Sequence, residues 1–155
     1  MSFMTRAPAS DEDLVRLFGA EGVNHDSAAH FRGRLERRLL INRCGECGRW
    51  HHPPRPLCPR CWSTSVAPTE VSGVGVIHLL VLLHQGPPAP EVDYAAGPHP
   101  VAAVELVEQP GLRFTSTVVG VEPRALHVGD RVRLAWIERG GVPVPAFRPV
   151  TGEGV

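Results

Sequence analysis

Hydrophobic and polar positions follow two periods along this chain, helical near the start and strand-like from residue 71 onward. Ser10-Asp11-Glu12-Asp13 predicts a helix start: Ser10 can cap the free N–H groups, and the acids that follow suit the positive end of a helix. Leu14, Leu17 and Phe18 form a short apolar stripe before Gly19 and Gly22 end it. A second helix is expected from Asp26 or Ser27 to about Arg38, with Ala28, Phe31, Leu35 and Leu39 near helical spacing. Residues 1–10 are small and polar and are expected to fray.

The other face of the second helix carries Arg32, Arg34, Arg37 and Arg38. Two readings of it stay open: a solvated face partly paired with Glu36, or an anion site for a phosphate-bearing ligand or an acidic partner.

Residues 38–43 predict a first strand, whereas 50–56 hold too many prolines for a helix or a central strand. Within 76–83 only His78 interrupts a run of aliphatic residues, with Val74, Val76, His78, Leu80 and Leu82 in one phase. A strand apolar in both phases is expected to be covered on both faces, by a barrel interior on one side and by a partner or a helix on the other. A Pro/Gly-rich lobe over 86–98 contains Tyr94, the only tyrosine. Further strands are expected at about 99–107, 112–119, 131–136 and 144–149, with a helical turn at 122–126. Five strands with that turn before the fourth suggest a small OB-type Greek-key barrel, antiparallel except at its closing contact.

Cysteine occurs only as two CxxC pairs, Cys44/Cys47 and Cys58/Cys61, separated by ten residues. Each pair places two thiolates on one side of a tight knuckle, and two facing knuckles supply a closed tetrahedral site of the structural zinc type. Iron would fit the same four sulfurs. Disulfides would require export, and residues 1–9 lack the apolar stretch of a signal peptide, so the expected compartment is the cytoplasm. His51 and His52 lie between the knuckles and are read as loop residues rather than competing ligands. Trp50 and Trp62 flank the knuckles and are expected to cover the metal.

Composition narrows the function classes. Sixteen basic residues, all arginine, balance sixteen acidic ones in 155 residues, and no apolar run approaches membrane-spanning length. Zero net charge argues against strong non-specific binding to DNA or RNA. No local signature of a Ser/His/Asp or Cys/His catalytic group is present, so no catalytic residue is assigned. His78 and His84 with Glu105 could line a pocket, but a strand histidine and a strand-end histidine are the simpler reading.

Phe31-Arg32-Gly33-Arg34-Leu35, the run Arg43-Cys44 to Cys47-Gly48, Pro53-Pro54-Arg55-Pro56 before Cys58-Pro59, and Pro145-Ala146-Phe147-Arg148-Pro149 stand in a distinctive order. Gly73-Val74-Gly75, Val104-Glu105-Leu106 and residues 128–132 continue it. In these the chain resembles the DUF35 family, described as a rubredoxin-like zinc ribbon followed by a five-stranded OB-fold barrel. It departs in having Arg32 where the family often has tryptophan, and Trp62 where a glycine often follows the second zinc pair. The resemblance divides the chain into an N-terminal helical arm (1–38), a zinc ribbon (39–68) and an OB-fold domain (69–150), mainly β with short N-terminal helices.

It also implies a role. Members of this family are small subunits of thiolase-superfamily enzymes, such as steroid side-chain aldolases, acetoacetyl-CoA thiolase with hydroxymethylglutaryl-CoA synthase, and phloroglucinol acyltransferases. The expected function is that of a non-catalytic subunit in a heteromeric complex, of α2β2 type, that helps form or cover an acyl-CoA site. A MaoC-like hydratase is a second implied partner. Arg34, Arg37 and Arg38 become candidates for a CoA phosphate, and Val76, Leu80, Leu82 and Tyr94 for the partner interface. The alternative is a zinc-ribbon/OB module for single-stranded nucleic acid, which would need stacking aromatics in a basic groove.

Overall fold

The computed structural model describes residues 7–87, 89 and 91–151; the fraying expected of 1–6 and two positions of the Pro/Gly lobe, 88 and 90, lie outside them. Helix α1 (Asp11–Phe18) opens with a reciprocal capping box: Ser10 Oγ accepts from the Asp13 N–H, and the Asp13 carboxylate accepts from the Ser10 N–H. Helix α2 (Ala28–Leu35) is shorter than its apolar spacing suggests. Arg37 adopts a left-handed conformation (φ 56°), its N–H bonding the Arg34 carbonyl while the Arg38 N–H bonds that of Gly33. This Schellman-type closure ends the helix three residues before the expected Arg38. Leu14, Phe18 and Phe31 pack with Val142 in a small core that fastens the helical arm to the last strand.

The ribbon is a three-stranded antiparallel sheet in the order β2-β1-β3, with β1 Leu40–Cys44, β2 Trp50–His51 and β3 Val66–Glu70. The second sheet runs β6-β5-β4-β7-β8, with β4 Val74–Leu83, β5 His99–Leu106, β6 Arg113–Ser116, β7 Arg131–Arg139 and β8 Val142–Pro149. A 3-10 turn at Pro123–Ala125 precedes β7. All its strand pairs are antiparallel; an isolated parallel bridge between Val118 and Phe147 brings its two ends together, as expected for an OB fold. Gly75 permits the tight crossing at the sheet centre, since a Cβ there would lie 2.5 Å from Val104 Cγ1 and 2.6 Å from the Glu105 carbonyl oxygen.

One continuous core joins ribbon and barrel: Leu39, Ile41 and Trp50 pack with Ile77, Val104, Leu106, Leu112, Phe114, Val132 and Phe147. The Gln109 side chain reinforces the joint by accepting from the Trp50 N–H (2.9 Å) and donating to the Trp50 carbonyl (3.0 Å). A side-chain amide thereby stands in for a neighbouring strand. No helix among the described residues is long and apolar enough to cross a membrane.

Candidate functional site

Two CxxC turns of matching hydrogen-bond pattern build the metal centre. In the first, the Gly48 N–H bonds the Cys44 carbonyl and the Cys44 N–H bonds that of Arg49; in the second, Trp62 bonds Cys58 and Cys58 bonds Ser63. The residue after each pair must turn left-handed, and Gly48 does so at φ 74°. Trp62 takes the same place at φ 64°, a conformation that glycine enters at far lower cost. Its indole is 76% exposed, so it does not cover the metal as expected; the turn aims it outward. Trp50 is buried instead, with the Arg43 guanidinium 5.2 Å from its ring centroid.

The four sulfurs lie within 4.8 Å of one another, Cys44 to Cys61 and Cys47 to Cys58 each at 3.6 Å. Tetrahedral bonds of the usual Zn–S length put sulfurs about 3.8 Å apart, so the set fits a four-thiolate metal site. It is too wide for disulfides. Backbone N–H groups aimed at sulfur favour the ligating thiolate form. The one on Cys47 holds the Cys44 thiol below its ordinary range, and the one on Cys61 brings Cys58 down to about 6. Cys44, Cys47, Cys58 and Cys61 thus form a structural metal centre of rubredoxin-like type.

The arginines of the expected anion face do not converge. Arg34 is only 4% exposed: its Nη1 donates to Glu21 (2.5 Å), its Nε donates to the Pro143 carbonyl, and its guanidinium lies against Phe18 and Phe31. Arg37 pairs with Glu138 at 2.6 Å, and Arg38 with Glu70 at 3.1 Å and Glu36 at 3.3 Å. The ion pairs of Arg37 and Arg38 are exposed and of small energetic weight, whereas Arg34 locks the helical arm to β8. His30 and His52 meet where the arm, the bridge and the barrel join, His52 stacking 5.1 Å from Phe114. Burial lowers the pKa of both, that of His52 to about 4.

The proposed partner surface is redrawn by a register irregularity in β4 between Ile77 and Leu79. Before it, Ile77 points inward and Val76 outward; after it, Leu80 packs on the core while Leu79 (53%) and Val81 (42%) are exposed. One extra residue in the strand exchanges its faces, so Val76 and Leu80 do not share one. Leu82 is half-buried, and Tyr94 lies against His99 with its hydroxyl over Gly86. β7 pairs with β4 only at 74–76, while β5 follows β4 as far as Leu83. Helix α2 packs on β1 and β8 rather than on this strand, so the second cover expected from within the chain is not supplied by it. His78 and His84 are both exposed, and Glu105 faces Arg113 at 3.8 Å.

Known proteins share this arrangement. Residues 31–67 match the family model described as "ChsH2, rubredoxin-like zinc ribbon domain", and 68–137 match "ChsH2, C-terminal OB-fold domain". A protein of Methanocaldococcus jannaschii named "DUF35 domain-containing scaffold protein" is 32% identical over 99 residues, covering 63% of this chain and 67% of that protein. A "Probable enoyl-CoA hydratase alpha subunit" of Thermomonospora curvata is 37% identical over 128 residues, covering 82% of this chain but 38% of that protein. The chain therefore spans well under half the length of that relative. Among solved structures, a chain of the "Ltp2-ChsH2(DUF35) aldolase" is similar at TM-score 0.73 and 36% identity, covering 83% of this chain and 97% of that one.

Proposed function

The chain belongs to the DUF35 family, with the ChsH2-type zinc ribbon and OB fold, and we propose from this that it is an accessory, scaffold-type subunit of a thiolase-like complex. It binds a thiolase-superfamily partner in a heteromeric, α2β2-type assembly and helps form or cover the partner's acyl-CoA site. The carbon–carbon bond is then cleaved or formed on the partner, as in a steroid side-chain retro-aldolase or an acyl-transfer complex of lipid metabolism. The metal is zinc, held for shape, and the compartment is the cytoplasm. The match of this chain to part of a hydratase-named subunit supports a MaoC-like hydratase as a second associate.

The observation that carries this reading is the distal half of β4. Leu79 and Val81 expose their side chains on a strand whose β7 partner has already left, and an apolar strand in that position asks for a covering surface. Val76, exposed on the same strand before the irregularity, is included in that surface. The test is co-purification with a thiolase-like protein encoded beside it. Wild-type protein is expected to co-elute on a sizing column, and Leu79→Asp with Val81→Asp to elute separately while keeping bound metal and thermal stability. Separate elution of the wild-type pair, or co-elution of the double variant, would contradict the proposed surface.

A further inference from the structure

Arg49, Arg55 and Arg113 come from the end of the first knuckle, the proline bridge and strand β6, yet all line one cleft of about 300 Å³ between ribbon and barrel. Its lining also includes Trp50, His51, His52 and Leu112, and no acidic side chain. In a chain with sixteen acids to sixteen bases, this is a local concentration of positive charge. Arg113 has Glu105 at 3.8 Å, while Arg49 and Arg55 have no ion-pair partner among the described residues. They differ in this from Arg34, Arg37 and Arg38, which are committed to Glu21, Glu138 and Glu70.

His51 forms part of the floor. It is 7% exposed, and neither ring nitrogen has a hydrogen-bond partner. A neutral imidazole carries one donor and one acceptor, and leaving both unused in a buried ring is costly. Both nitrogens are buried beneath the cleft surface, next to the walls that Arg49, Arg55 and Arg113 form.

We propose that this cleft is an oxyanion site of the phosphate class, with Arg49, Arg55 and Arg113 as its charged walls and His51 as the donor beneath. Guanidinium groups pair with phosphate oxygens through two parallel hydrogen bonds, and three of them compensate a di- or trianion. The ligand is a small phosphate-bearing molecule rather than a nucleic-acid strand. A strand needs open aromatic faces for its bases; the one indole lining this cleft, Trp50, is buried with Arg43 over its ring, and the exposed Trp62 does not line it. The site stands on these residues alone and does not depend on the partner reading.

The experiment is a calorimetric titration of the metal-loaded full chain with inorganic phosphate and with pyrophosphate, against sodium chloride at matched ionic strength. Saturable binding is expected for both, tighter for pyrophosphate. Arg55→Gln with Arg113→Gln, both on exposed side chains, is expected to weaken it by roughly tenfold or more, the scale of a lost charge-assisted hydrogen bond. His51→Phe keeps the ring shape and is expected to weaken binding several-fold. Heat no greater than the chloride control, or unchanged affinity in the double arginine variant, would overturn the site. So would oligothymidylate binding more tightly than pyrophosphate without being displaced by it.

Discussion

At the tip of the ribbon the buried cysteines Cys44 and Cys58 stand without an apolar cluster of their own, whereas the barrel buries Ile77, Ala102, Val104, Leu106, Val132 and Phe147 around one another. The base of the ribbon belongs to the barrel's side of this divide, because Leu39, Ile41 and Trp50 share its core. A few residues of sequence thus separate a region shaped by ligand bonds from one shaped by burial. The two should fail under different perturbations, with the joint between them sensitive to both.

The largest effect is expected from Cys44→Ser, which removes one ligand from a region with no apolar cluster of its own. Structural zinc contributes about 10–16 kcal/mol in small metal-folded modules. Metal analysis should show loss of the bound ion, and hydrogen exchange should show the knuckles at 44–48 and 58–65 unprotected while the Trp50 N–H, held by Gln109, stays protected. Partner assembly should be lost with it; an assembled, active complex containing the metal-free variant would refute the bracing role. Phe147→Ala strikes the other region, deleting a fully buried ring at the closing contact. A cost of about 3–5 kcal/mol in denaturant unfolding is expected, with metal content unchanged below the new midpoint.

The joint answers to pH. Burial holds the His52 pKa near 4 when folded, against 6.5 in the unfolded chain. The unfolded state therefore binds more protons between those values, so this contribution to stability is unaffected above pH 6.5 and is lost as pH falls toward 4. Between pH 7 and 5 the loss attributable to His52 is on the order of 2 kcal/mol. His52→Asn should flatten the unfolding profile over that window relative to wild type; an identical slope would remove His52 from the account. The smallest expected effect is a gain. Trp62→Gly relieves a left-handed backbone at an exposed side chain and should stabilise the second knuckle by about 1 kcal/mol in thermal unfolding.

Features written in short local patterns were legible before the fold was known. The paired CxxC turns, the helix cap at Ser10, and the first ribbon strand and five barrel strands with a helical turn before β7 depend on neighbours a few residues apart, whereas the short β2 and β3 carry no such pattern. What was hidden depends on distant parts or on a single extra residue. Arg34 continues the helix pattern of a basic face, yet Glu21 and Pro143 draw it into the interior. Alternation alone grouped Val76 with Leu80, because it carries no mark of the irregularity after Ile77. The cleft at Arg49, Arg55 and Arg113 leaves no mark in the sequence for a similar reason: its walls are brought together only when the ribbon packs on the barrel. Trp62 could have been anticipated, since a residue following a CxxC knuckle is where glycine fits and a bulky ring has nowhere inward to go.

The irregularity in β4 acts on the strand as a frameshift acts on a reading frame. Everything after it is displayed in the opposite phase, with no change in composition. Deleting His78 would remove the unpaired residue and leave Leu79 and Val81 outward in simple alternation, whereas smoothing the irregularity with every residue kept would turn them inward and present Leu80 and Leu82 to the outside. The outer face of this half of β4 is therefore fixed by whether one residue bulges from the ladder, a larger step in recognition than any single substitution along it would make.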